Sequence, residues 1–331
     1  MRIVQFMASG NFGGAEKVFV ELANSMADHH KVDALVIRNC QFTHRFSSDV
    51  NVVELKSNPT VNNPFLHYEI FNTLNTLRPD LIHTHSAKAT QLVNRVNRFC
   101  SLKHLGTKHN DRKGRIFNRI KWVTTVSEKA RESIRSSSGG NVTVIHNGVI
   151  EEHVETSLKS EVFTMLGVGR LDKIKGFDLL LEQVAGLRFP FRLQIAGEGP
   201  EYSALQRDIL ALGLEDKVQL LGFREDIAQM MHDAHVVVIS SHREGGPKVM
   251  LEALLYAPVL VSTPVGAVPE VLPEQFQTSL HNLTSKIEDV YLNYSAYTKD
   301  FREIRDRKKS NFAFSKIVTE YDRAYQQIVA D

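Results

Sequence analysis

Short runs of aliphatic and β-branched residues alternate with stretches whose apolar residues recur at helical spacing along most of the chain. "RIVQFMA" (2–8) reads as a strand and "GAEKVFVELANSMAD" (14–28) as an amphipathic helix. Strands "KVDALVI" (31–37), "DLIHTH" (80–85) and "WVTTVS" (122–127) follow, and Ser127 is placed to cap the helix that opens "EKARESI". "NVTVIHNG" (141–148) closes the series on an Asn-Gly turn. The pattern then restarts with "VFTMLGVGR" (162–170) and the helix "GFDLLLEQVAGL", then "FRLQIAGEG" (191–199) and the helix "PEYSALQRDILALGL". "VQLLG" (218–222), a short helix around "REDIAQMMHDA" and "HVVVIS" (235–240) complete it. Strand alternating with helix, twice over, predicts an α/β chain of two doubly wound parallel-sheet domains. The boundary is expected in the polar, acidic stretch 150–160.

The length of 331 residues agrees, being more than one ordinary core holds. Composition adds exclusions. With 42% apolar and 24% charged residues and no apolar run of membrane-spanning length, the chain reads as a globular cytoplasmic protein. "MRIVQFMAS" is too short for a signal peptide. Cys40 and Cys100 form no CxxC pair and no disulfide framework. The net charge of +2 conceals an asymmetry: residues 1–150 carry 20 Lys/Arg against 11 Asp/Glu, and the remainder 20 against 27. Residues 88–121 hold ten of those cations and a single acid, Asp111. This is either a solvated basic face or a contact for an anionic partner, a membrane surface or a phosphorylated acceptor.

Ligands of such sheets bind beyond the carboxyl ends of the strands, so a site shared between facing domains is expected. Candidate loops lie there. In "SGNFGGAEK", Gly13 and Gly14 let backbone approach a ligand ahead of a helix start, although a glycine turn there also serves packing. The GxGxxG dinucleotide spacing is absent. In "GVGRLDKIKGFD", Arg170 and Lys175 follow Gly169, and two cations at a strand's end suit the oxygens of a diphosphate. A pair of solvated surface cations is the other reading.

"SSHREGGPKVMLEAL" (240–254) is the richest stretch. Pro247 suits a first helical turn, and Gly245 and Gly246 leave amides uncovered at the positive end of the helix dipole. Glu244 stands before the glycines, and Glu252 lies roughly 7–8 Å along the helix axis. Either they meet hydroxyls on both sides of a bound phosphate, as in a nucleotide sugar, or they are a capping acid and an ordinary helix glutamate. His83 and His85 leave a strand on one face, without the further ligands of a metal site; for His83 a structural role is preferred. His109, in "GTKHND", can donate a hydrogen bond to a sugar hydroxyl or a departing phosphate, or be a satisfied structural histidine.

Taken in order and spacing, "GVGRLDKIKGFDLLLE", "LQIAGEGPEYSAL", "VQLLGFREDI", "REGGPKVMLEAL" and "PVGAVPEVL" resemble the retaining glycosyltransferases of family 4. "PDLIHTHSAKA", "GTKHND", "TTVSEKARESI" and "VIHNGV" resemble that family's first-domain segments, so the likeness spans nearly the whole chain. Bacterial enzymes of lipopolysaccharide, capsule or other lipid-linked glycan synthesis look most similar. The resemblance implies the GT-B fold: Rossmann-like domains at 1–155 and 156–310 with the active site between them. The tail 311–331 would be a terminal helix crossing back onto the first domain.

The resemblance also assigns roles. Arg170 and Lys175 would meet the donor diphosphate, Glu252 the ribose hydroxyls and Glu244 hydroxyls of the donor sugar. Amides around Gly246 to Val249 would support phosphates and sugar, with Gly169, Gly245, Pro247 and Lys248 in the same donor site. His109 would lie near the transferring sugar, and Gly13 and Gly14 match the first-domain glycine loop. His109, Glu244, Arg170 and Lys175 form the expected catalytic group. The implied donor is a UDP- or GDP-sugar acting as co-substrate, with no cofactor and no metal, and with retention at the anomeric carbon. The implied acceptor is a glycan or lipid-linked glycan, with peripheral contact to anionic membrane through 88–121 and no nucleic-acid partner.

Cations and helix amides acting on the leaving diphosphate fit this reading, because they stabilise charge that grows in the transition state. With no obvious carboxylate nucleophile, same-face attack by the acceptor is the expected mechanism. Competing readings are a nucleotide-sugar epimerase on the same fold and a non-catalytic anionic-surface-binding protein. Against the second stand Arg170, Lys175, Glu244 and Glu252 together. The sequence departs from the family pattern at Gly246, where a bulky residue is common, and at His146, where proline is common. After "PEVL" the expected Gly-x-Leu-Val segment is missing.

Overall fold

The computed structural model describes residues 1–134 and 140–331. Its strands are β1 (Arg2–Met7), β2 (Lys31–Val36), β3 (Asn51–Glu54), β4 (Leu81–His85), β5 (Lys103–Lys108), β6 (Trp122–Thr125), β7 (Asn141–Val144), β8 (Phe163–Val168), β9 (Phe191–Ala196), β10 (Val218–Gly222), β11 (Val236–Ile239) and β12 (Leu260–Ser262). Its α-helices are α1 (Gly14–Ala27), α2 (Pro64–Leu77), α3 (Ser86–Cys100), α4 (Glu128–Glu132), α5 (Phe177–Ala185), α6 (Tyr202–Ala211), α7 (Ile227–Asp233), α8 (Lys248–Tyr256), α9 (Val268–Val271), α10 (Leu283–Leu292), α11 (Tyr294–Lys308) and α12 (Phe314–Ala330).

Two compact units result. The first comprises Met1–Asn147 and Phe314–Asp331, the second Gly148–Ala313. In the first, seven parallel strands run in the order β3-β2-β1-β4-β5-β6-β7. Both faces of this sheet are covered, which is why its central strands read as nearly unbroken apolar runs. Ile3 and Met7 of β1 point to a core built with Phe19 of α1 and with Ile317, Tyr321 and Tyr325 of α12. Val4 and Phe6 point the other way, against Leu66, Ile70 and Leu74 of α2 and Leu92 and Val96 of α3. Ser127 caps α4 as expected, its side chain accepting the Ala130 N–H at 3.1 Å. In the second unit five parallel strands run β10-β9-β8-β11-β12 around one large core. The strand order reverses between β8 and β11, so loops after those strands diverge and leave room for a ligand.

The division falls at Asn147, not at 155/156. The acidic stretch 150–160 is the expected boundary, but its backbone is bonded into the second unit. The Val149 N–H donates to the Phe312 carbonyl at 2.9 Å, and the Glu152 N–H to the Tyr256 hydroxyl at 2.6 Å. The Gln229 side chain bonds both the N–H and the carbonyl of Glu155. At the other end Phe312 and Ala313 stay with the second unit, so the returning segment begins at Phe314 rather than 311.

Candidate active site

In the second unit, the loops after β8 and β11 are joined at their bases. The Ser240 hydroxyl donates to the Lys175 carbonyl at 2.9 Å, and the His242 N–H to the Ile174 carbonyl at 2.8 Å. Gly169 has φ +155, and a Cβ there would lie 3.1 Å from Lys175 Cε. A side chain at 169 would therefore strain the backbone and push the lysine aside. Gly176, at φ +63, has no room either, since its Cβ would lie 2.3 Å from the Ser240 carbonyl oxygen.

These constraints aim Lys175 across to the start of α8. Its Nζ donates to Glu244 Oε1 at 2.6 Å, and the Ser241 hydroxyl donates to the same oxygen at 2.7 Å. A carboxylate beside a phosphate-binding helix end would repel its ligand; here a cation already neutralises it. Arg170 lies in the same loop with 64% of its side chain exposed, its Nε donating to Asp172 Oδ2 at 2.7 Å. The two cations are thus held differently, Lys175 in a half-buried ion pair and Arg170 on a carboxylate at the surface.

Pro247 is the N-cap of α8 rather than its first helical residue, and the helix opens at Lys248, which is buried. The Gly245 carbonyl accepts the Ala267 N–H at 2.8 Å, and a Cβ on Gly266 (φ +54) would lie 2.1 Å from that carbonyl oxygen. The "PVGAVPEVL" segment therefore holds Gly245 through its backbone. Between the loops lies a cavity of about 10 Å³ lined by Val168, Lys175, Ser241, Glu244, Pro247 and Val249, room for about one water. Gly246 and Glu252 are half-buried, the latter further along α8. A cation, a helix start and a neutralised carboxylate thus meet at the carboxyl edge of β8 and β11, a setting suited to a phosphate next to hydroxyls.

The first unit carries the other predicted residues. Gly13 is the N-cap of α1 with extended backbone, φ −157 and ψ −167. A Cβ on Gly14 would meet nothing within 4 Å, so packing does not explain this glycine. His109 follows β5 and is half-buried; its Nε2 lies 3.2 Å from His85 Nδ1, and the two rings stack with centroids 5.4 Å apart. Burial lowers its pKa to about 4, so the ring is neutral. His83 is wholly structural in its contacts, pairing with Tyr325 Oη at 2.7 Å and Thr107 Oγ1 at 2.6 Å. The sequence pairs His85 only with His83, and its contact with His109 arises from the fold. Asp172, Ser241 and Gln5, which hold site residues, carry no sequence signal of their own.

The basic stretch 88–121 is not one solvated face. Lys108 is buried, its Nζ donating to the Asn110 carbonyl and its pKa pushed down to about 8 by burial, and Lys121 pairs with Asp331. Arg98, Arg112, Lys113, Arg115 and Arg119 are exposed.

Two family models tile the chain: "Glycosyltransferase Family 4" over residues 12–153 and "Glycosyl transferases group 1" over residues 149–299. The chain belongs to the GT-B glycosyltransferases. Among curated relatives of this glycosyltransferase, the phosphatidylinositol N-acetylglucosaminyltransferase gpi3 subunit of Schizosaccharomyces pombe is 25% identical over 230 residues, 64% of this chain and 50% of that protein. The N-acetyl-alpha-D-glucosaminyl L-malate synthase of Bacillus anthracis is 25% identical over 146 residues, 42% of this chain and 38% of that protein. The chain thus spans half or less of the length of these two relatives. Among solved structures, Anabaena HepE in complex with UDP and glucose superimposes with TM-score 0.85 at 18% identity, covering 99% of this chain and 100% of that one. At that identity the likeness establishes the fold, two Rossmann-like units of the GT-B type.

Proposed function

We propose that this glycosyltransferase moves a hexose-type sugar, with retention, from a UDP-linked donor to a glycan or lipid-linked acceptor of a bacterial surface polysaccharide such as lipopolysaccharide. The observation that carries the reading is the Lys175–Glu244 pair, 2.6 Å across, at the start of α8 and beside Arg170. A diphosphate arriving there would take Lys175, Arg170 and the first amides of α8, while Glu244 turns its free oxygen to a sugar hydroxyl. The cations stabilise charge developing on the leaving diphosphate, so the chain needs no metal for that task. Glu252, further along α8, is assigned to the ribose. Structural neighbours solved with UDP and with UDP-glucose support the choice of nucleotide.

Contact with an anionic membrane is part of the proposal. α3 carries Lys88, Arg95 and Arg98 and no acid, and the one acid of α2, Glu69, accepts the N–H groups of Lys56 and Ser57. Tyr68 and Phe99, 67% and 80% exposed, line a groove of about 440 Å³ together with Arg95, and Phe65, near the start of α2, is 77% exposed. Exposed aromatics set among cations suit a lipid headgroup boundary.

The test is acceptor-dependent turnover of a nucleotide-sugar panel, with the product's anomeric configuration read by NMR. Retention without a trapped glycosyl-enzyme is the expected result. Inversion or a covalent adduct would overturn the same-face mechanism, and isomerised donor formed without acceptor would replace the transferase by an epimerase.

A further inference from the structure

Two neighbouring helices of the second unit, α8 and α9, each end at a proline. Pro258 follows Ala257, the C-cap of α8, and Pro273 follows Leu272, the C-cap of α9. In a continuing helix the Leu254 carbonyl would bond the N–H of residue 258, and proline has none to give. Glu270 stands three positions before Pro273, so a tightened last turn cannot satisfy its carbonyl either. Two cations of α11, one turn apart, take the place of these missing donors. Arg305 Nε donates to the Leu254 carbonyl at 3.0 Å and its Nη2 to the Ala257 carbonyl, while Lys308 Nζ donates to the Glu270 carbonyl at 2.9 Å.

Arg305 is half-buried and pairs with no carboxylate among the described residues; its guanidinium is held by backbone oxygens. Phe301 and Ile304 anchor this stretch of α11 in the core. The starts of the two helices are joined as well. Ala267, the N-cap of α9, donates its N–H to the Gly245 carbonyl at 2.8 Å, three residues before α8 opens at Lys248. α8 and α9 are thus tied to each other at their starts and to one helix at their ends. No side chain caps the start of α8, and two glycines stand just ahead of it, so its aim depends on core packing and on its far end.

We propose that Arg305, seconded by Lys308, is a positioning residue that fixes the axis of α8 and so keeps the first amides of that helix aimed at the donor's diphosphate. The inference rests on the nucleotide-sugar reading and extends it to a side chain roughly 13 Å from the helix start. With an anion bound at the start and a guanidinium at the end, both poles of the α8 dipole are complemented. A small tilt of the helix suffices to spoil phosphate contacts, because geometry of this kind tolerates errors well under 1 Å.

The test is the Kd for UDP by calorimetry, far below the melting temperature, where only folded protein is measured. Arg305→Met, which keeps the bulk and removes the donors, should raise Kd about tenfold and the donor's KM with it. Arg305→Lys, still able to reach one carbonyl, should recover most of the loss. Arg307, an exposed neighbour whose Nε donates to the Glu303 carbonyl of its own helix, controls for charge. Arg307→Met should leave Kd within about twofold. A lower melting temperature with an unchanged Kd in Arg305→Met would reduce the residue to a cap that serves the fold, and equal weakening in Arg307→Met would reduce it to net charge; either overturns the proposal. Should Arg305→Met not fold, Lys308→Met carries the test, with a rise of about threefold expected and none contradicting it. UDP binding that survives in Arg305→Met refutes the brace alone, whereas a wild-type chain that binds no nucleoside diphosphate refutes the donor reading together with it.

Discussion

Glu244 illustrates what a single residue can and cannot say in sequence. Its position before Gly245 and Gly246 was legible, but its neutralisation by Lys175 was not, because the two are 69 positions apart. Lys175→Met leaves this half-buried carboxylate with the Ser241 hydroxyl alone. The expected destabilisation of the second unit is about 1–3 kcal/mol by chemical denaturation. An unchanged midpoint would show that the pair is loosely held. Gly14 gives a contrasting test. It opens α1 with open space at its Cβ, so Gly14→Ala should keep stability within about 0.5 kcal/mol while turnover falls at least roughly tenfold. If stability drops instead, the glycine is there for the fold. Pro247 was legible as a helix-start residue, and only its place, N-cap instead of first turn, needed coordinates.

Among elements, those with long apolar runs or clear helical spacing were readable: β1, β2, β4, β8, β9, β10 and α1 fall within a few residues of their expected limits. β3 and β12 were not. β3 is a four-residue sheet edge with no buried position, and β12 is a three-residue run inside a longer apolar stretch, so neither shows a period of two. The helix α12 holds a network that no local pattern announces. Tyr325 and Tyr321 cover His83 and Thr107, and Thr107 Oγ1 lies 2.5 Å from Thr124 Oγ1.

These buried histidines give the first unit a pH signature. Desolvation lowers the pKa of His83 and His85, of His109 to about 4 and of His104 to about 3. An unfolded histidine takes up its proton near pH 6.5, so the unfolded state binds protons first as the pH falls. Stability of this unit is therefore full above about pH 6.5 and declines toward the native values near 4 and 3. Trp122, the chain's single tryptophan, lies in β6 and reports on this unit alone. Its urea midpoint should fall steadily from pH 7 to pH 4.5; a flat profile would mean that these rings titrate normally.

For the molecule as a whole, repetition of pattern discloses two α/β units, while the division point rests on the backbone bonds of residues 149–155. The charge asymmetry was visible as composition, yet burial of Lys108 removes part of it from the surface, and the exposed aromatics of α2 and α3 had no sequence signal at all. Membrane contact should accordingly need both kinds of residue. Phe65→Ser with Phe99→Ser, or charge reversal at Arg112, Lys113 and Arg115, should each cut co-sedimentation with anionic liposomes by more than about half. Binding that ignores both sets of changes would remove the membrane from the account. The central claim, that Lys175, Glu244 and α8 form a nucleotide-sugar site, is most directly tested by thermal shift against a panel of nucleotide sugars. At a donor concentration of about 100 times Kd, binding adds about 2.7 kcal/mol and should raise the melting temperature by several degrees. The predicted result is a shift with UDP-sugars in the wild type that disappears in Lys175→Ala and in Glu252→Ala; no shift with any donor, or an equal shift in both variants, would contradict it.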